Sequence, residues 1–187
     1  MNFGHQERCS SAEWAARLGY DILPWGLEGI RLYGDDVLEL GPGYGASTAV
    51  LVGACGSLTV VESEPELATG LRARFPGADI RTGDATATGF EPASFDTVVC
   101  FTMLHHVCPR EAQDRLFAEA ARVLRPGGWF AGTDSRASDE LLAFHVDDVY
   151  EPVDPGALPD RLRAAGFGEV SVGLRDGVFR FRARLPK

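Results

Sequence analysis

Three carboxylates and a histidine pair stand at the ends of apolar runs: Glu39 in VLELG, Glu62 after LTVV, Asp84 in GDAT, and His105-His106 in MLHHV. A carboxylate at the mouth of a strand accepts hydrogen bonds from hydroxyl, amine or ammonium donors. An imidazole beside it takes or gives a proton near neutral pH. Between the first two acids the chain reads Gly41-Pro42-Gly43-Tyr44-Gly45. Glycine at that density marks positive φ, or backbone that something must approach closely. Such a turn between a strand and a helix presents amide N–H groups to a ligand. Glu62 follows Gly43 by 19 residues, the interval at which an acid on the next strand reaches ribose hydroxyls. Residues 41–46 also satisfy the GxGxxG/A dinucleotide pattern, so NAD and other adenosine ligands are alternatives at this point.

The elements that must position these groups follow from hydropathy patterning. Short apolar runs predict strands at 37–41, 58–62, 79–82, 95–101 and 128–134. Helical spacing predicts helices at 46–55, 65–75 and 110–124, the last with Leu116, Ala120, Val123 and Leu124 on one face and RPGG as its stop. Alternation of this kind predicts a parallel sheet covered on both faces. Ser10 and Glu13 form a capping-box pattern ahead of Trp14, Ala15 and Leu18. Near the C-terminus, Asp176-Gly177 separates two alternating runs and predicts a hairpin. Phe179, Phe181 and Ala183 then share one face, and Arg180, Arg182 and Arg184 form a solvated edge face. Residues 135–157 read as irregular and acidic.

Composition narrows the function classes. The chain has 187 residues, 45% hydrophobic and 24% charged, with a formal net charge of −9. This suits one globular domain over 1–187, and it disfavours nucleic acid or an anionic membrane as partner. No run has signal-peptide or membrane-spanning character, so the expected location is cytoplasmic. The four cysteines make no CxxC pair. A zinc site can be drawn from Cys100, His105, His106 and Cys108. Adjacent histidines on an extended segment point to opposite sides, so no metal site is expected.

Taken together, ELGPGYG, the strand-end Glu62, GDA, the FD-apolar-LHHV run and LRPGG occur in an order and spacing that resembles the class I S-adenosylmethionine-dependent methyltransferases. The motifs cover about residues 37 to 134. The resemblance implies an α/β, Rossmann-like, seven-stranded and mostly parallel sheet of order 3-2-1-4-5-7-6, with strand 7 antiparallel and helices on both faces. It implies S-adenosylmethionine as cofactor and S-adenosylhomocysteine as product. Glu39 with Gly41, Pro42 and Gly43 is then expected at the methionine end. Glu62 is expected on the ribose and Ser63 beside the adenine. Asp84 and the Ala85 backbone are expected on the adenine edge, and Phe101 with Thr102 would close the methionine side. This cofactor has no diphosphate, which agrees with a turn that carries no basic residue.

The expected activity is methyl transfer to a small-molecule acceptor, such as a specialised metabolite. A non-catalytic S-adenosylmethionine-binding protein and a nicotinamide-dependent dehydrogenase are the alternatives. His105 is the first candidate general base, by similarity to a strand-end histidine of plant-type small-molecule O-methyltransferases, and His106 the second; a pocket-shaping role is the competing reading. The tryptophan-rich surroundings of that group are missing here. Residues 1–36, with His5, Trp14 and Trp25, form an N-terminal helical segment expected to cover the acceptor site. Asp134 faces the crevice by position, and His145 either approaches the same pocket or lies on the surface.

Overall fold

A computed structural model describes residues 3–187. The N-terminal segment folds as α1 (Phe3–Cys9), α2 (Ala12–Arg17), a π-helical turn at Leu18–Ile22 and α3 (Leu23–Gly26). The rest alternates: β1 (Asp36–Leu40), α4 (Thr48–Leu51), β2 (Ser57–Glu62), α5 (Pro65–Arg74), β3 (Asp79–Thr82) and β4 (Phe95–Phe101). A 3-10 turn at Leu104–His106 leads to α6 (Arg110–Val123), β5 (Leu124–Ser135), α7 (Asp139–Phe144) and α8 (Leu158–Ala164). The hairpin β6 (Glu169–Arg175) and β7 (Val178–Arg184) completes the fold.

The seven strands form one sheet of order β3-β2-β1-β4-β5-β7-β6. β1 to β5 pair in parallel, and β7 is antiparallel to both β5 and β6. The period of two along each strand divides the core into two layers. Val37, Val60, Val99, Phe101 and Ala131 belong to one buried cluster. Leu38, Val61, Val98, Cys100 and Phe130 belong to the other, where Leu116, Phe117, Ala120 and Val123 of α6 pack. Both faces are therefore covered, which is why β4 can be apolar nearly throughout. Strand order reverses between β1 and β4, so the loops after β1, β2 and β4 gather at one edge and leave a crevice there.

Several local expectations are corrected. The helix expected at 46–55 is only Thr48–Leu51, because bonds of three-residue reach tighten both ends: Val50 N–H to Ser47 O and Ala54 N–H to Leu51 O. RPGG does not lie outside the sheet. The helix ends at Val123, and Leu124 already pairs with Phe95. Gly127, with φ +81, carries an irregular stretch before Trp129 pairs with Thr97. Gly132 is required where β5 runs beside β4, since a Cβ there would stand 1.8 Å from the Cys100 carbonyl oxygen. The N-cap of α2 is Ser11, whose hydroxyl accepts from Trp14 N–H, rather than Ser10.

The arginines of β7 are not an edge face, because β6 is the edge and β7 lies inside the sheet. Phe179, Phe181 and Ala183 are buried on one side, as their alternation predicts. On the other side, Arg180 donates to Trp25 O at 2.7 Å and to Glu28 Oε2 at 2.6 Å, and Arg182 donates to Glu28 O. These bonds fasten the N-terminal segment across the sheet. Residues 135–157 also carry more structure than their sequence suggests, since Ser138 caps α7 through Leu141 N–H.

Candidate functional site

The Gly-rich turn leaves β1 with Gly41 at φ +60, Gly43 at +57 and Gly45 at +76. These glycines serve different ends. A Cβ on Gly41 would meet Met103 at 2.4 Å, and one on Gly45 would meet Leu71 at 2.5 Å, so packing demands both. A Cβ on Gly43 would meet nothing within 4 Å. Only Gly43 offers bare backbone to open space.

Glu62 ends β2 and reaches across to this turn. Its Oε2 accepts from Gly43 N–H at 2.9 Å, and its Oε1 accepts from Glu64 N–H at 3.0 Å. Two backbone donors fix the carboxylate; Oε1 also accepts from Ser63 Oγ at 3.4 Å, and Oε2 keeps a second lone pair for a ligand. Asp84, after β3, has Oδ1 on Thr86 N–H at 2.7 Å. Gly41, Pro42, Gly43, Glu62, Ser63, Asp84, Ala85, Phe101 and Thr102 line one cavity of about 440 Å³. His106 and, from the N-terminal helices, His5, Cys9, Trp14 and Leu18 also line it. Trp25 does not; it lies under the guanidinium groups of Arg175 and Arg180.

Glu39 and His105 stand off this cavity. Glu39 is 1% exposed beneath the turn. Its Oε2 accepts from Thr48 Oγ1 at 2.6 Å, and its Oε1 has no partner. Burial raises its carboxyl to about 7, against the opposing bonds from Ser47 and Thr48. His105 is buried, and both its backbone N–H (3.1 Å) and its Nδ1 (2.5 Å) donate to Asp134. It opens instead on a second cavity of about 550 Å³ with Ser135, Arg136 and His145. Burial opposes the charged form of His105, but the charge and hydrogen bond of Asp134 outweigh it and raise the imidazole. His106 is pushed down to about 3 by burial and then by the charge of His105.

The expectation that the two histidines point apart is also corrected. They sit on a 3-10 turn, not an extended segment, and their ring centroids are 4.1 Å apart. His5 and His145 join them, so all four histidines of the chain come together. No spacing rule signals this, because α1 and the end of α7 are brought to β4 by tertiary packing alone. Arg115 of α6 also lies on the cavity wall, and no motif marks it.

Residues 38–132 match the model of the methyltransferase domain family. A probable S-adenosylmethionine-dependent methyltransferase of Mycolicibacterium smegmatis is 32% identical over 156 residues, which covers 80% of this chain and 57% of that protein. A phthiotriol/phenolphthiotriol dimycocerosates methyltransferase of Mycobacterium tuberculosis is 32% identical over 136 residues, covering 66% of this chain and 46% of that protein. The chain thus spans about half the length of these curated relatives. Among solved structures, a SAM dependent methyltransferase from Aquifex aeolicus superposes with a TM-score of 0.74 over 99% of both chains at 15% identity, a likeness of fold. No helix among the described residues is long and apolar enough to cross a membrane.

Proposed function

This chain belongs to the S-adenosylmethionine-dependent methyltransferases, and from that premise we propose that it transfers a methyl group from S-adenosylmethionine to a small-molecule acceptor. The observation that carries the reading is the Glu62–Gly43 bond, which holds a carboxylate across a cavity that Asp84 also lines. The fit is chemical. S-adenosylmethionine presents ribose hydroxyls, an adenine amine and an ammonium group, all donors, and the site offers carboxylates to accept them. The unpartnered Oε1 of Glu39 lies behind the turn, where the methionine end is expected. When bound, the cofactor supplies a methyl carbon made electrophilic by its sulfonium.

The residues of the chain then bind, orient and exclude water. Glu62 takes the ribose diol and Ser63 stands by the adenine. Asp84 and the Ala85 backbone take the adenine edge. Gly41, Pro42 and Gly43 surround the methionine end with Glu39 buried behind them, and Phe101 with Thr102 closes that side. The segment 1–36 serves as the cover on the acceptor side of a single domain spanning 1–187. His5, Cys9, Trp14 and Leu18 on the cavity wall support that role. An in-line displacement depends mostly on alignment and dehydration. Displacement at the sulfonium carbon asks for a base only where the acceptor carries a proton; of the two histidines His106 lines the cofactor cavity, and His105 opens away from it. A small acceptor is favoured over nucleic acid by the net charge of −9, and a relative named for phthiotriol/phenolphthiotriol dimycocerosates is compatible with it.

Calorimetry with S-adenosylhomocysteine and with NAD tests the cofactor assignment, followed by transfer from methyl-labelled donor to a metabolite panel. S-adenosylhomocysteine is expected at micromolar affinity and NAD is not. Tighter binding of NAD overturns the reading.

A further inference from the structure

The four histidines present a common arrangement. Each uses Nδ1 to donate to a fixed acceptor: His5 to Asp148 at 2.9 Å, His105 to Asp134 at 2.5 Å, His106 to Val149 O at 3.0 Å and His145 to Leu141 O at 2.7 Å. Carbonyl and carboxylate oxygens can only accept, so Nδ1 carries the hydrogen in all four rings. In a neutral imidazole Nε2 is then the lone-pair nitrogen. One ring nitrogen from each histidine lies within 4.8 Å of those of the other three. His5, His105 and His145 are buried, and His145 Nε2 has no hydrogen-bond partner at all. Converging lone pairs in a buried site repel one another unless a cation lies among them.

We propose that His5, His105, His106 and His145 bind one first-row divalent cation, zinc in the first instance, through their four Nε2 atoms. Ring spacing agrees with this. Centroid separations run from 4.1 Å for His105–His106, through 4.8 Å for His5–His106 and His5–His145, to 5.5 Å for His106–His145. Four imidazoles at metal–nitrogen distances of about 2.0–2.1 Å around a tetrahedral ion stand roughly 5 Å apart by centroid. The outer partners agree as well. Histidines that hold a metal through one nitrogen commonly donate the other N–H to a carboxylate or carbonyl, and all four do so here. Asp134 and Asp148 together balance the charge of a divalent ion held by neutral rings. Imidazole nitrogens without thiolate suit zinc and its first-row neighbours, not magnesium or calcium.

Four protein nitrogens fill a tetrahedral shell, so the ion acts as a staple, not as a Lewis acid. It ties α1, the turn after β4 and the residue following α7, three parts of the chain far apart in sequence. His5 and His106 also line the cofactor cavity, and His5, His105 and His145 line the second cavity. The ion therefore sits in the partition between the two.

The full chain, purified without a histidine tag and stripped with chelator, is titrated with zinc against a chromophoric competitor and with cobalt under visible spectroscopy. The expected result is about one ion per chain, with an intense tetrahedral cobalt spectrum and no thiolate charge-transfer band. Saturating zinc should raise the melting temperature by roughly 5 °C. His145→Ala should abolish tight binding, and Asp134→Asn should weaken it by roughly 10–100-fold. Neither titration needs the cofactor, so its result is independent of methyl transfer. Binding of S-adenosylhomocysteine by His145→Ala checks that the variant folds; the wild-type cobalt spectrum decides the donor set even if it does not. No stoichiometric zinc uptake by the wild-type chain overturns the proposal. So does uptake that survives in His145→Ala, or that disappears in Cys9→Ser/Cys108→Ser.

Discussion

Gly43 and Glu62 meet at 2.9 Å from two different strand ends, the glycine as donor and the carboxylate as acceptor. A backbone amide with no side chain over it and an acid with a lone pair to spare thus face the cavity as one unit. Losing either partner alters the same ligand surface.

The first prediction concerns Glu62. A charge-assisted contact to a diol is worth roughly 1.5–3 kcal/mol, so Glu62→Ala should weaken S-adenosylhomocysteine binding by that amount. The fold should persist, because the residue stands at a strand end. Titration calorimetry measures it, and an affinity within about twofold of wild type removes Glu62 from the ribose.

Glu39 gives a pH prediction. In the unfolded chain this carboxyl loses its proton near 4.5, and in the native protein burial holds the proton to about 7. Between those values the native state binds more protons than the unfolded one, so stability falls as pH rises through that window. Glu39→Gln should remove that component, which amounts to about 3 kcal/mol at most. Urea denaturation of both proteins at pH values spanning the window shows it as a gap that changes with pH; parallel curves refute it.

The glycine turn yields a ranking. Ala at Gly43 must accept φ +57 but meets no neighbour, a cost of about 1–2 kcal/mol. Ala at Gly41 adds a collision with Met103 and should lose roughly 1–3 kcal/mol more. Thermal melts of the two variants compare them directly. Equal losses would mean that Met103 yields freely.

Arg180 anchors the N-terminal segment by bonds to Trp25 O and Glu28. Arg180→Ala should speed amide exchange throughout residues 12–28 and leave α6 unchanged. Exchange detected by mass spectrometry distinguishes this from a general loss of stability, in which both regions accelerate together.

Much of this architecture is legible in the chain, because buried parallel strands write themselves as apolar runs. FDTVVCF is β4 with the bounds its composition implies, and Asp176-Gly177 does close the last hairpin. The acids of the cavity are legible too, since Glu62 ends one strand and Asp84 comes just after another. Other features depend on distance in sequence. Whether Arg180 and Arg182 meet water or Glu28 is decided by where the N-terminal segment lands. Histidines at 5 and 145 carry no mark that they will face 105 and 106. The 3-10 turn that overturns their expected divergence is held from outside, by Asp134 on the neighbouring strand.

The position of β7 has a consequence for biosynthesis. β6 pairs with β7 and with no other strand, while β7 fills the place between β5 and β6. During vectorial translation β6 therefore emerges with nowhere to attach, and β5 presents a bare flank to solvent until Phe179, Phe181 and Ala183 have left the ribosome. A nascent chain arrested in the hairpin carries an unpaired strand border of the kind that chaperones capture and that other chains add to. Closure of the sheet therefore waits on β7, however early β1 to β5 have paired.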